Sequence, residues 1–297
     1  MPLAELRPSC SVPDVTMEQT PPIARRARVI FAMGGGGFTM EPGNPLLDDY
    51  VLSLAAAREP RILFLPTASG DESAQITAFR ARFGARACVP EHLSLFRLRD
   101  ARASIEEIVL DQDIVYTGGG SMRNLLALWR AHGLDDLLCA AWRRGVVLAG
   151  LSAGAMCWFE GGVTCSSGKP EPIAGLGLLE GSLTVHADGE PERLPRWLAS
   201  VRDGSLAGGW ALDDGVGMLF SDRRLTRIVS SRPGASAVRV DAISGELVRR
   251  RLDPDLLGEG GHRGIGTVDE SVHELRDLRR MRQETARGPW GRRATPD

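Results

Sequence analysis

The sequence has no Cys-x-x-Cys pair, and its 5 histidines are scattered without zinc-site spacing. A structural zinc site of the usual ligand pattern is therefore not expected. The cysteines are Cys10, Cys88, Cys139, Cys157 and Cys165, an odd number in a chain of 297 residues. A disulfide framework is not expected from so few in so long a chain, and a reducing cytoplasm is the default reading. No apolar run approaches the ~20 residues that a membrane span needs. The N-terminal stretch lacks the charged-then-apolar order of a signal peptide. A formal net charge of −2 offers nothing to a polyanion. Basic residues cluster near the end, around Arg276 to Arg282 and Arg292 to Arg293, where a solvated helix face and a tail account for them. Internal repeats and low-complexity linkers are also missing. These absences leave an ordinary globular composition, 43% hydrophobic and 25% charged, with material for a sizeable core.

Residues 1–26 are proline-punctuated and read as a flexible N-terminal extension, and 286–297 as a disordered tail. Between them, 27–285 reads as one α/β domain. Short apolar runs alternate with helical patterns. Strands are expected at 28–33, 61–66, 92–96, 113–117 and 146–150. Helices are expected at 45–57, 73–84, 103–110, 122–131 and 134–144, with another from Ala153. This alternation implies βαβ units and a mostly parallel sheet. The last third changes to short strand-like runs at 182–186, 209–213, 217–221, 226–231, 236–240 and 246–250, separated by Gly, Pro and Asp turns. They read as antiparallel strands added to the parallel core. Residues 268–283 read as a charged terminal helix.

The strongest local signal is Gly150-Leu151-Ser152-Ala153-Gly154, a G-x-S-x-G sequence between an apolar strand and a helix. That is the context of a nucleophile elbow. A tight turn that projects a side chain at a sheet edge crowds neighbouring backbone, and small residues on both sides relieve the crowding. The amide of Ala153 then lies at a helix start, where donors are free and negative charge is favoured. The plainer reading makes Ser152 a helix N-cap between packing glycines. A second glycine turn, Gly118-Gly119-Gly120-Ser121, follows the strand at 113–117. An amide of Gly119 or Gly120 could complete an oxyanion hole with Ala153. No Walker lysine follows, which weakens a phosphate-binding reading. The run Gly34 to Gly37 matches no dinucleotide fingerprint and reads as close backbone approach beside the site.

A serine nucleophile needs a base. His132 precedes Gly133 at a helix end, His273 falls on the charged terminal helix, His262 lies in a glycine-rich loop, and His92 opens a strand. His186 ends an apolar strand and precedes the turn Ala187-Asp188-Gly189, which makes it the best placed. The orienting acid is open among Glu160, Glu171, Glu180, Asp188 and Glu190.

Taken in order, AMGGGGF (32–38), LPTAS (65–69), YTGGGSMRNL (116–125), GLSAGAMCWF (150–159) and VHADGEPERL (185–194) resemble the peptidase E family, which includes dipeptidase E and cyanophycinase. The resemblance covers roughly residues 28–220. It implies a three-layer α/β/α fold of the class I glutamine-amidotransferase-like type, a Ser–His–acid site, and no metal or cofactor. It implies Ser152 as nucleophile, His186 as base, and Gly120 with Ala153 as oxyanion hole. Arg193 falls where members place a substrate-binding arginine, and Asp188 in the same segment is an expected substrate contact. Members cleave peptides bearing an N-terminal aspartate, or an aspartate–arginine polymer. They carry an acid shortly after the serine, where this chain runs from Cys165 to Glu171. Glu171 is therefore the expected third member. The implied activity is serine-type peptidase action on small peptides with an acidic residue beside the scissile bond. The alternatives are an esterase or amidase acting on a non-peptide acyl substrate, and a member that kept the pocket, lost the chemistry and acts as a binding protein. The implied partner is the peptide itself, with a homodimer left open and no nucleic acid or membrane.

Overall fold

The computed structural model describes residues 27–258. The expected extension at 1–26, the helix at 268–283 and the tail at 286–297 lie outside the described residues. The elements are β1 (Val29–Met33), α1 (Gly37–Met40), α2 (Leu46–Ser53), β2 (Arg61–Leu65), α3 (Ser73–Gly84), β3 (Val89–His92), α4 (Ile105–Leu110), β4 (Ile114–Thr117), α5 (Met122–His132), α6 (Leu134–Arg143), β5 (Val147–Leu151) and α7 (Ala153–Met156). There follow β6 (Phe159–Thr164), β7 (Glu171–Ala174), β8 (Leu179–Thr184), α8 (Arg193–Arg202), β9 (Gly209–Leu212), β10 (Val216–Ser221), β11 (Arg224–Ser230), β12 (Ala237–Ile243), β13 (Glu246–Leu252) and β14 (Asp255–Leu256).

The first sheet has 8 strands in the order β14-β11-β10-β1-β5-β4-β2-β3. Its run from β1 to β3 is parallel throughout, and β10 and β11 extend it antiparallel. Its parallel strands are apolar on both faces because both are covered. Phe31, Phe64 and Tyr116 point to one face, into a core shared with α1, α2 and α3. Ile30, Leu63, Val115 and Leu148 point to the other, toward Trp129 of α5, Trp142 of α6 and the apolar side of a second sheet.

That second sheet corrects part of the expectation. Only β10 and β11 add antiparallel strands to the parallel core. The others form a separate 6-stranded sheet, β13-β12-β9-β8-β6-β7, in which β8 runs parallel to both β6 and β9. Its far face is covered by α8, whose buried Trp197 donates its indole N–H to Ser182 Oγ at 2.9 Å. Two local readings also shift. The strand expected at 92–96 sits earlier, at β3, and residues 95–100 form 3-10 turns. The apolar alternation of Leu93 and Leu95 reports burial in the core, not pairing. The helix expected from Ala153 is a single turn, because Phe159 already enters β6. Cys88, Cys157 and Cys165 are free thiols. Among the described residues no helix is long and apolar enough to cross a membrane.

Candidate active site

Three loops meet between the two sheets. Ser152 follows β5 of the first sheet, His186 follows β8 of the second, and Asp214 lies on the turn that carries the chain from β9 in the second sheet to β10 in the first. Ser152 Oγ and His186 Nε2 are 2.9 Å apart. His186 Nδ1 and Asp214 Oδ1 are 2.5 Å apart. The hydrogen bond from His186 holds the Asp214 carboxyl below its ordinary range, Arg232 adds to this, and burial opposes it. An ionised carboxylate only accepts, so the shared proton sits on Nδ1. In the neutral imidazole of that tautomer, Nε2 is the nitrogen that can accept the Ser152 hydroxyl. The side chains of His186 and Asp214 are only 12% and 13% exposed, so little water competes for this bond.

The elbow is made by backbone strain. Ser152 has φ 55° and ψ −114°, outside the regions an L-residue ordinarily occupies. Such a residue costs about 1–3 kcal/mol and persists where its surroundings over-determine it. They do so here. The Ser152 amide donates to Met33 O at 3.1 Å, and its carbonyl accepts from Ala155 and Met156, both at 2.9 Å. A Cβ on Gly150 would overlap Gly154 O, and one on Gly154 would overlap Thr117 O. Backbone atoms leave no room for a side chain at either position, a tighter limit than the small residues expected from the sequence.

The glycine turn after β4 lies against the serine. A Cβ built on Gly119 would sit 3.3 Å from Ser152 Cβ and 3.8 Å from its Oγ. Gly118 donates to Leu65 O at 3.1 Å and Ser121 to Ala68 O at 2.7 Å. The amides between them, of Gly119 and Gly120, donate to no protein acceptor among the described residues. The Ala153 amide is the first of α7 and has no intrahelical acceptor. Since α7 has one turn, these discrete donors matter more than a macrodipole. The run Gly34–Gly37 also finds its reason. A Cβ on Gly35 would overlap Asp214 Oδ1 and lie 3.0 Å from His186 Nδ1. This glycine vacates the space that the Asp–His pair fills.

Several expected residues are placed elsewhere. Glu171 does not partner the imidazole. Its carboxylate takes Arg123 Nη2 at 2.6 Å and Ser167 Oγ at 2.7 Å, and those bonds lower its pKa. Glu171 opens β7, on the hairpin that crosses to α5, and that hairpin carries it toward Arg123. Glu160 accepts the Gly181 amide at 2.8 Å. Arg193 is buried, and Glu190 occupies its guanidinium at 2.7 and 3.0 Å, with Nη1 on Val163 O at 3.2 Å. Its fork for a carboxylate is already filled from within the chain. Asp188 Oδ1 accepts the Asp214 amide at 2.9 Å. Asp214 was missed because Asp213-Asp214-Gly215 reads as an ordinary turn between strands. Its one signal is a paired aspartate where a strand ends. Among the described residues no group of three His, Cys, Asp or Glu side chains forms a metal site.

The family model for peptidase family S51 matches residues 30–228. An uncharacterized peptidase, YgaJ, of Bacillus subtilis is 46% identical over 229 residues, covering 77% of this chain and 99% of that protein. The crystal structure of a peptidase from an acI-B1 actinobacterium superposes with a TM-score of 0.61 at 18% identity, over 77% of this chain and 96% of that one. At that identity the superposition speaks for the fold alone. The family model and the Bacillus relative together span every element that carries Ser152, His186 and Asp214: the chain belongs to peptidase family S51.

Proposed function

We propose that this peptidase is serine-type and hydrolyses small peptides, dipeptides among them, through an acyl-enzyme on Ser152. The observation that carries the reading is the continuous chain of hydrogen bonds from Ser152 Oγ through His186 to Asp214. His186 takes the hydroxyl proton as Ser152 Oγ attacks the scissile carbonyl, and the carbonyl oxygen becomes an anion. That charge is received by the amide of Ala153 and by that of Gly119 or Gly120. This reading is supported by the closeness of Gly119 to Ser152 and by the lack of a protein acceptor for the two glycine amides among the described residues. His186 then hands the proton to the leaving amine, and the C–N bond breaks. Water, deprotonated by His186, releases the acyl group. Asp214 stays ionised throughout and balances the imidazolium. Nothing in this route calls on a metal or cofactor.

An acidic residue beside the scissile bond was the expected preference, with Arg193 as its reader. The pairing of Arg193 with Glu190 speaks against that reader. Arg193→Ala is therefore expected to lower turnover of an Asp-containing peptide and its Asn-containing twin equally. A loss confined to the Asp peptide would restore Arg193 as a specificity residue.

The principal test is labelling by a fluorophosphonate, followed by a panel of Asp-X dipeptides, a β-aspartyl peptide and p-nitrophenyl esters. The wild type is expected to label at Ser152 and to cleave peptides in preference to esters. Ser152→Ala should abolish labelling and lower turnover by a factor on the order of 10⁴ or more, with an unchanged melting temperature. Full turnover by that variant would overturn the nucleophile assignment.

A further inference from the structure

Asp214 sits on a turn with little freedom around it. Asp213 donates its amide to Ser236 O at 3.1 Å and accepts Ser236 N and Oγ on its own carboxylate at 2.8 and 2.9 Å. Gly215 donates to Gly35 O at 3.1 Å and accepts from Ser231 N at 2.9 Å. The residues on either side of Asp214 are thus tied to Ser236 just before β12, to Ser231 just after β11, and to the glycine run. The peptide amide of Asp214 itself has one partner, Asp188 Oδ1 at 2.9 Å.

We infer that Asp188 is a positioning residue for the catalytic pair: it holds Asp214 by its backbone while His186, two residues earlier in the same loop, holds it by its side chain. The inference rests on the proposed Ser152–His186–Asp214 chemistry. The loop is suited to this grip. Ala187 donates to Leu212 O at 3.0 Å, and Gly189 and Glu190 both donate to His186 O, at 3.1 and 2.9 Å. The backbone between the two gripping side chains is therefore fixed. His186 itself takes a positive φ of 53°, which turns the chain sharply enough for residue 188 to come back to the same turn as residue 186. Two carboxylates near one another would repel. Arg232 faces both Asp188 and Asp214, and is held by Glu41. The contribution of Asp188 is then acceptance of one N–H, which a neutral amide oxygen performs equally well.

This assigns to Asp188 a different role from the substrate contact that its place in the sequence suggests, and the two part experimentally. The full-length chain is compared with Asp188→Ala and Asp188→Asn. The readouts are steady-state cleavage of a peptide the wild type accepts, the second-order rate of fluorophosphonate labelling, melting temperature, and the downfield proton resonance of His186 Nδ1–H. Asp188→Ala is expected to lower kcat and the labelling rate about tenfold, the scale of one lost hydrogen bond. KM should stay within about twofold, and the Nδ1 proton resonance should move or broaden. Asp188→Asn should restore all three to near the wild-type values. The inference is overturned if KM rises in both variants with kcat unchanged, since that marks a substrate contact. It is overturned equally if Asp188→Asn is as impaired as Asp188→Ala, or if Asp188→Ala changes neither the rates nor the resonance. Should Asp188→Ala melt far below the wild type, the resonance and labelling rate of the isosteric Asp188→Asn decide alone. A wild-type chain that neither labels nor cleaves overturns the Ser152 chemistry itself, and this inference with it.

Discussion

The two sheets contribute to the site in different ways. The first sheet supplies the proposed nucleophile and the amides beside it from tight turns at the ends of adjacent parallel strands, β5 and β4. Every constraint there is local: a strained serine, small neighbours, a strand on one side and a helix turn on the other. The second sheet supplies the imidazole, and the crossing between sheets supplies the carboxylate. Those two residues are separated by 28 positions in the chain and meet only because β8 and β9 are parallel neighbours. The elbow is a property of a short segment, whereas the Asp–His pair is a property of the topology. Mutations should therefore act differently on the two halves.

The largest expected effect comes from the pair. Asp214→Asn should leave the fold intact and lower kcat by a factor on the order of 10⁴, because an amide can hold the wrong imidazole tautomer. Peptide cleavage and the melting temperature check it together, and near-wild-type turnover would remove Asp214 from the site. Next is the contact between the halves. Gly35→Ala places a methyl group against Asp214 Oδ1 and close to His186 Nδ1. A displacement of about 1 Å in such a pair costs roughly 10²-fold in rate. The labelling rate of Ser152 should fall in parallel, because the elbow depends on the imidazole for its activation.

A third prediction concerns the first sheet alone and reads stability. Asp48 is wholly buried behind the glycine run, where Arg82 Nε lies 3.1 Å from its carboxylate. Burial raises its pKa to about 7, with Arg82 opposing the shift. The folded pKa lies above the unfolded one, so the folded state binds the proton more tightly. The stabilisation is full below the unfolded value and is lost as pH rises through about 7. Wild-type stability should fall by roughly 2–3 kcal/mol from about pH 5 to about pH 8 through this group. Asp48→Asn should flatten that part of the profile, measured as melting temperature against pH. An unchanged slope would remove Asp48 as its source.

The smallest effect belongs to the carboxylate that the sequence favoured. Glu171→Gln loosens one exposed pair with Arg123, which contributes about 0–1 kcal/mol, and should change kcat less than about twofold. A large loss would return Glu171 to the catalytic machinery and break the contrast between the two halves.

The sequence was most legible where short-range sterics decide. Gly150 and Gly154 mark an elbow because no side chain fits there, and Gly34–Gly37 marks a close approach for the same reason. The parallel half of the first sheet was legible because strands covered on both faces carry unbroken apolar runs. The same logic failed at 92–96, where alternating leucines are buried without being paired. It failed again for the later strands, whose pattern does not say which of two sheets each one joins.

What the sequence determined by itself is the serine, its turn and the donors beside it, because these follow from covalent geometry over a few residues. His186 could be singled out by its position at a strand end. Only the tertiary structure decided its acid. Glu171 is nearer to Ser152 in the chain, yet the β6–β7 hairpin carries it to Arg123, while the crossing from β9 to β10 brings Asp214 to Nδ1. A carboxylate needs only proximity and burial to orient an imidazole, and proximity across 28 residues is set by strand order, which no local pattern encodes.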